Sequence, residues 1–238
     1  FLMVANCFVF GRGVWRDSNA INNARLAQAL SIPANSAGPH SVLAVVPAPG
    51  VPSLPRLVDP LRLPRRSLAT PAGHAAFIHA ICHIEFSAIN LALDAALRFA
   101  DMPSAYYHDW LAVAREEAQH FLWLSDHLQT LGYTYGDFDA HMGLWHIAQR
   151  TQHSVLLRMA LVPRVLEARG LDVTPAMIQR LKAHGDDRGA AILERILVDE
   201  VGHVAIGSRW FLYAAEAAGE DPEAVFTAAV EAEIGRRP

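Results

Sequence analysis

The sequence predicts an all-α protein, a four-helix bundle preceded by a proline-rich arm. Three observations support this prediction. From residue 70 onward the apolar residues recur at helical spacing, and no segment shows convincing strand alternation. Nine of the fourteen prolines lie between Pro33 and Pro71, too densely for helix or regular sheet. The only two Glu-x-x-His motifs of the chain lie in two separate long helical segments.

Composition argues against several other classes of protein. The chain has 238 residues, is 52% hydrophobic and carries a net charge of −4, which argues against broad binding to nucleic acid without excluding a local basic patch. Its two cysteines, Cys7 and Cys82, give no disulfide framework and favour a reducing cytoplasm. The apolar residues 1–10 are too short to span a membrane. We interpret both chain ends, Phe1 and Pro238, as truncated.

The chain divides into two predicted parts. Residues 1–69 form an N-terminal segment, with a short helix at about 17–31, and the proline-rich arm; residues 70–238 form the bundle domain. The arm is expected to pack on the bundle through its apolar residues, which are Val51, Leu54, Leu57, Val58, Leu61 and Leu63.

Helix-capping residues delimit the predicted helices of the bundle. Thr70-Pro71 begins a helix that reaches about residue 100, and a second helix follows the break at 101–104 and ends near Gly132. A third helix is predicted over 141–169, ending at Gly170, and Thr174-Pro175 begins a short fourth segment. A long helix covers about 186–218, and the tail 221–235 is also helical.

The two Glu-x-x-His motifs predict a metal site. Glu117 and His120 lie three residues apart, as do Glu200 and His203, so each pair shares one face of its helix. Two such motifs, with one Glu from each of two further helices, form the ligand set of bundles that hold two metal ions.

Glu85 and Glu167 are the predicted additional ligands. Glu85 is the only Glu of its helix and lies in an apolar stripe, where a carboxylate is costly to bury without compensation. Glu167 is the only acid of the predicted helix 141–169. Glu85 precedes Glu117 by 32 residues and Glu167 precedes Glu200 by 33, so the chain reads as two similar helical hairpins.

The acids that precede each motif are predicted to support the histidines. Glu116 and Asp199 each stand four residues before a ligand histidine and can bind its outer nitrogen, within the helix or across the core. The other histidines favour simpler readings. His127 is interpreted as a hydrogen-bonded core residue, His79 and His83 as groups off the Glu85 face, and His184 as lacking a partner at ligand spacing.

From about Leu63 to Phe211 the chain resembles a bacterial ferritin-like family catalogued as a domain of unknown function. The strings that carry the resemblance are His83-Ile84-Glu85, residues 116–121 (EEAQHF), Gly136-Asp137-Phe138, residues 161–170 (LVPRVLEARG) and residues 199–203 (DEVGH). The resemblance implies a ferritin-like bundle with a non-haem dinuclear iron centre. The family is also distantly similar to a tRNA-modifying diiron hydroxylase.

These observations predict a function and leave alternatives open. Carboxylate and histidine ligands suit two iron ions, or manganese or a mixed Fe/Mn pair. The leading prediction is an oxidoreductase that uses dioxygen to oxidise an unidentified small organic substrate; small residues near the site, Ala88, Ala92 and Gly207, are expected to leave room for it. No catalytic residue is predicted beyond the metal ligands. An electron-donor protein and a homodimer are compatible with the sequence, which identifies neither.

Two alternatives remain. One is an iron-handling protein, a ferroxidase or a peroxide-removing ferritin-like protein, although the proline-rich arm argues against a storage cage. The other is a metal-free structural bundle, for which removal of Glu117 is expected to raise stability by relieving repulsion between buried charges.

Overall fold

The computed structural model describes residues 19–29, 52–64 and 67–233, and within these ranges the protein is all-α, with no strand. Its helices are α1 (Ala20–Gln28), a 3-10 turn (Pro60–Arg62), α2 (Pro71–Arg98), α3 (Ser104–Thr130), α4 (Gly143–Arg150), α5 (Val155–Leu161), a π-helical segment (Val162–Glu167), α6 (Ala168–His184), α7 (Asp187–Ala218) and α8 (Pro222–Glu233). Predictions that concern residues 1–18, 30–51, 65–66 and 234–238 lie outside the described ranges.

The start of α2 and the end of α3 are those that the capping residues predict. The Thr70 side chain accepts a hydrogen bond from the Gly73 N–H at 3.1 Å, and Pro71 occupies the first turn of α2. After α3 the chain turns at Gly132, whose φ of +83° is a conformation that glycine adopts at no steric cost. The long helix ending before Gly219 is confirmed in the same way, since Gly219 is the left-handed cap of α7.

The prediction for the third helix is wrong. Residues 151–154 interrupt it, and beyond them α5, the π-helical segment and α6 run on without a break to His184. Gly170 does not end a helix, and Pro175 lies inside α6 rather than at a start. A glycine or proline costs about 1–3 kcal/mol within a helix, and here the burial of Ile178 and Leu181 offsets that local preference.

The π-helical segment surrounds Pro163. Proline has no N–H to donate and its ring collides with the carbonyl four residues earlier, so a regular α-helix is disfavoured there. The wider i→i+5 turn accommodates this residue, and it ends at Glu167. Such segments occur often at functional sites.

Two helix pairs form the centre of the molecule. α2 packs along α3, and α6 packs along α7, which also contacts α5 and the π-helical segment. The two pairs meet where α3 contacts α7, so the helices that carry the two Glu-x-x-His motifs lie side by side. Helix α1 lies on α3, where Gln28 hydrogen-bonds Gln119.

Helix α2 is long and apolar enough to cross a membrane by length and composition. However, 83% of its most apolar 18-residue window is buried inside the protein. In the described part of the chain, α2 is therefore a helix of the core.

Backbone hydrogen bonds and an ion pair between Arg56 and Asp139 hold the described part of the arm. The Val58 N–H donates to the Ala140 carbonyl at 2.9 Å, and the Ala140 N–H donates to the Arg56 carbonyl at 3.0 Å. Pro55 is buried beside this bridge. The expectation that the apolar residues of the arm pack on the helices is wrong for two of them, because Leu54 is 59% and Leu61 is 95% exposed.

Candidate metal centre

Six acidic and histidine side chains from four segments meet in the protein interior, and we call them the central cluster. α2 contributes one, α3 and α7 two each, and the π-helical segment one: Glu85, Glu117, His120, Glu167, Glu200 and His203. All four of Glu85, Glu117, His120 and His203 are at most 4% exposed. The helical spacing within each motif directs both of its side chains to the same side of the helix, which is why α3 and α7 can each present a pair.

Glu117 occupies the middle of the central cluster. Its Oε2 lies 3.3 Å from His120 Nδ1 and its Oε1 lies 3.0 Å from His203 Nδ1. His120 Nδ1 is also 3.2 Å from Glu85 Oε2, and His203 Nδ1 is 3.6 Å from Glu200 Oε2. Ligand atoms of Glu85, Glu117, His120 and Glu200 all lie within 4.8 Å of one another.

The outer nitrogens of the two histidines are held by acids of the opposite motif. His120 Nε2 lies 3.2 Å from Asp199 Oδ2, and His203 Nε2 lies 2.7 Å from Glu116 Oε2. Arg195 in turn binds both carboxylate oxygens of Asp199, at 3.0 and 2.7 Å. Each histidine is therefore oriented from across the α3–α7 contact, and both Nδ1 atoms face inward. Metal-bound histidines usually have such an outer partner.

Several inward-facing atoms have no hydrogen-bond partner. They are Glu117 Oε1, Glu167 Oε2, Glu200 Oε2 and His203 Nδ1, all of them buried. The first and last of these lie 3.0 Å apart as an ion pair that lacks the geometry of a hydrogen bond. Buried polar atoms without partners are rare and costly, and carboxylate oxygens and imidazole nitrogens of this kind are atoms that bind cations.

The central cluster strongly perturbs the pKa values of its members. Burial raises the pKa of Glu85 to about 8, opposed by the hydrogen bond from His120. Burial also raises the pKa of Glu167 and of Glu200, and the neighbouring carboxylates raise both further.

The pKa values of the two histidines are raised, and the pKa of Glu117 is lowered. Burial would lower the pKa of His120, but its hydrogen bonds to Glu117 and Glu85 raise it to about 11. The charge of Glu117 and the hydrogen bond to Glu116 raise the pKa of His203 in the same way. Burial would raise the pKa of Glu117, but the positive charge of His203, together with the hydrogen bond and charge of His120, lowers it. Without a metal, the central cluster therefore binds extra protons in place of missing positive charge.

The space beside the central cluster is smaller than the sequence suggests. A Cβ on Gly207 would lie 2.2 Å from the Cβ of Pro163, so this glycine allows α7 to contact the π-helical segment. The expectation that Gly207 leaves room for a pocket is wrong. A cleft lies on the face of α2 that turns away from Glu85, where His83, Phe86, Asn90 and Tyr135 line it.

Sequence reasoning missed a second group of buried side chains. His74, His127 and Asp186, which we call the distal cluster, bring ligand atoms within 4.8 Å of one another. They are more than 50 residues apart along the chain and form no local motif. The sequence holds one indirect indication, the Asp186-x-x-Gly189 helix start, but nothing that connects it to the two histidines.

The fold and the central cluster define an all-α protein with a buried carboxylate–imidazole site. The chain belongs to the family described as "Protein of unknown function (DUF455)", whose model matches residues 15–237. It is similar to an "Uncharacterized protein" of Haemophilus influenzae, with 51% identity over 183 residues that cover 74% of this chain and 64% of that protein. The chain thus spans slightly less than two thirds of this relative. No solved structure matches the chain.

Proposed function

We propose that this protein is a ferritin-like four-helix bundle that binds two iron ions in the central cluster and acts as a dioxygen-dependent oxidoreductase. The observation that supports it most is the convergence of four carboxylates and two imidazoles, several of whose buried atoms have no other partner. The substrate class is a small organic molecule.

Charge balance supports two divalent ions. Four glutamates and two neutral histidines carry a charge of about −4, which two ions of charge +2 neutralise. The raised pKa values of Glu85 and His120 are the metal-free counterpart of this balance, because protons supply positive charge where cations would. Oxygen and imidazole donors suit iron or manganese better than soft metals.

The bundle itself is supported by the helix arrangement. Each half of the chain supplies a segment with a lone Glu followed by a Glu-x-x-His helix, and α2–α3 and α6–α7 pack as two pairs in contact through α3 and α7. This is the ligand distribution of dinuclear carboxylate bundles.

The residues of the chain have separate roles in this proposal. Glu85, Glu117, Glu167, Glu200, His120 and His203 would hold the ions, with Glu117 lying between the two imidazoles. Glu116 and Asp199 fix the imidazoles with Nδ1 inward. When bound, the iron ions supply the electrons that reduce dioxygen. The exclusion of water by the fully buried Glu117 and His120 strengthens every electrostatic interaction in the site.

One observation favours a second candidate, an iron-handling or peroxide-removing protein. The predicted ligands of α2 and α3 are at most 4% exposed, and a cleft on α2 lies on the face away from Glu85. Small reactants such as dioxygen, peroxide and Fe²⁺ need less access than an organic substrate does.

Metal reconstitution tests the proposal. The metal-free protein is loaded with Fe²⁺ without oxygen, and iron per chain is measured after removal of excess metal. We expect two ions in the wild type and fewer in His203→Gln, whereas His146→Gln, at an exposed histidine of α4, should match the wild type. A wild-type chain that retains no more iron than His203→Gln would contradict the proposal and favour the metal-free bundle.

Oxygen consumption separates the two functions. An oxidase that acts on an organic substrate should consume little dioxygen without that substrate once its iron is oxidised. A ferroxidase should continue to consume dioxygen for as long as Fe²⁺ is added, and a storage protein would also elute as a large shell in size-exclusion chromatography.

A further inference from the structure

The distal cluster lies where four helix ends meet. His74 is in the first turns of α2, His127 is in the last turn of α3, and Asp186 stands between the end of α6 and the start of α7. All three are buried, with exposures of 8%, 3% and 8%. Side chains from both helix pairs therefore converge at one end of the molecule.

The two imidazoles share one carboxylate oxygen. His74 Nε2 lies 2.7 Å and His127 Nε2 lies 2.9 Å from Asp186 Oδ2. The other oxygen, Oδ1, accepts the Gly189 N–H at 2.8 Å, which fixes the carboxylate. The outer Nδ1 of His127 lies 3.3 Å from Thr130 Oγ1, so this ring is oriented from both sides.

The arrangement contains more than a helix cap requires. A cap needs one side-chain oxygen, which Oδ1 supplies. A Cβ at position 189 would lie only 2.4 Å from Oδ2, so glycine at this position leaves room for the second oxygen where the histidines reach it. A third imidazole, that of the exposed His184, lies with its ring centre 4.8 Å from that of His74.

We propose that His74, His127 and Asp186 bind a single zinc-class divalent ion that fastens the two helix pairs together. Two imidazoles and one carboxylate are ligands that zinc uses, with bonds of about 2.0–2.2 Å, and a fourth position faces His184 or water. Such bonds need donor atoms about 3.3 Å apart, so the carboxylate oxygen moves by roughly half an ångström. On binding, each Nε2 proton gives way to the ion, and the Nδ1–H form of His127 can donate to Thr130.

This site is separate from the central cluster. His127 follows His120 by seven residues on α3, which corresponds to about 10 Å of helix. The inference therefore does not rest on the proposed oxidoreductase function.

Zinc retention by the full chain tests the inference. The metal-free protein is incubated with zinc sulfate, dialysed, and its zinc content is measured for the wild type, His127→Gln and Asp186→Asn. Each variant should retain one zinc ion fewer than the wild type. Its affinity for that ion, measured against a competing chelator, should fall by more than about 100-fold, because loss of an outer partner alone costs 10–100-fold.

Controls separate this loss from unfolding and from the central cluster. His153→Gln, at an exposed histidine, should retain the wild-type amount. Asparagine at 186 can still accept the Gly189 N–H, so Asp186→Asn decides the matter if His127→Gln does not fold. Because the central cluster is intact in every variant, zinc bound there does not alter the difference. Equal zinc content and equal affinity in the wild type and Asp186→Asn would overturn the inference.

Discussion

Glu85→Gln is expected to stabilise the metal-free protein. Burial raises the pKa of Glu85 from 4.5 to about 8, so at pH 7 this carboxyl is mostly protonated in the folded chain and ionised in the unfolded chain. Glutamine resembles the protonated carboxyl in shape and charge, and it can still accept a hydrogen bond from His120. The substitution therefore removes the free-energy cost of protonating Glu85 when the chain folds.

The size of the gain follows from linkage. When folding raises the pKa of a carboxyl group, the protein loses stability as the pH rises. The loss builds up between the pKa of the group in the unfolded chain and its pKa in the folded chain. Relief of this loss is about 1 kcal/mol at pH 5 and about 3 kcal/mol at pH 7, and it levels off above pH 8. For a chain of this length, 3 kcal/mol corresponds to roughly 6–12 °C in Tm.

Thermal unfolding followed by circular dichroism, with a chelator present, measures this gain. Glu117→Gln is the matched variant and should lower Tm, because the two histidines lower the pKa of Glu117 and its charge is favourable. From the sequence, loss of Glu117 was expected to relieve repulsion between buried charges. The pKa shifts instead indicate that removal of the Glu85 carboxylate has this effect. Glu216→Gln, at an exposed glutamate, should change stability by less than about 0.5 kcal/mol. A lower Tm for Glu85→Gln, or a gain that does not grow between pH 5 and pH 7, would refute the reasoning.

Three further predictions concern the centre, the core and the helix contact. Loading the metal-free protein at pH 7 should release protons, because Glu85 and both histidines of the central cluster must deprotonate; calorimetry in two buffers of different ionisation enthalpy measures this, and metal affinity should rise with pH. Asp94→Ala should cost about 3–5 kcal/mol in urea unfolding, because it leaves the buried guanidinium of Arg158 without its carboxylate; a loss below 1 kcal/mol would show that the pair is solvated. Gly207→Ala should destabilise by about 1–3 kcal/mol through the clash with the π-helical segment, whereas Gly202→Ala, which meets open space on the same helix, should be neutral or stabilising by up to about 1 kcal/mol. Equal effects of the two alanines would contradict the close contact.

The sequence by itself determined the helical class and most helix ends. Thr70 with Pro71, Gly132 and Gly219 act within one turn of the chain, so their effect can be read without the rest of the molecule. The central cluster was predictable for the same reason, since residues three apart on a helix share a face in any context. Glu85 and Glu167 were predicted as the lone glutamates of their helices, and the repeat spacing of 32 and 33 residues supported that choice independently.

Only the tertiary structure decided how the helices are placed against one another. The run of helix through Gly170 and Pro175 depends on burial against α7, which outweighs local preference. The exchange of Glu116 and Asp199 between the two motifs depends on the contact of α3 with α7. The distal cluster joins residues 74, 127 and 186, and no periodicity relates positions so far apart. Local geometry fixes which side chains share a helix face, but the distance between two faces is set by the packing of the whole core.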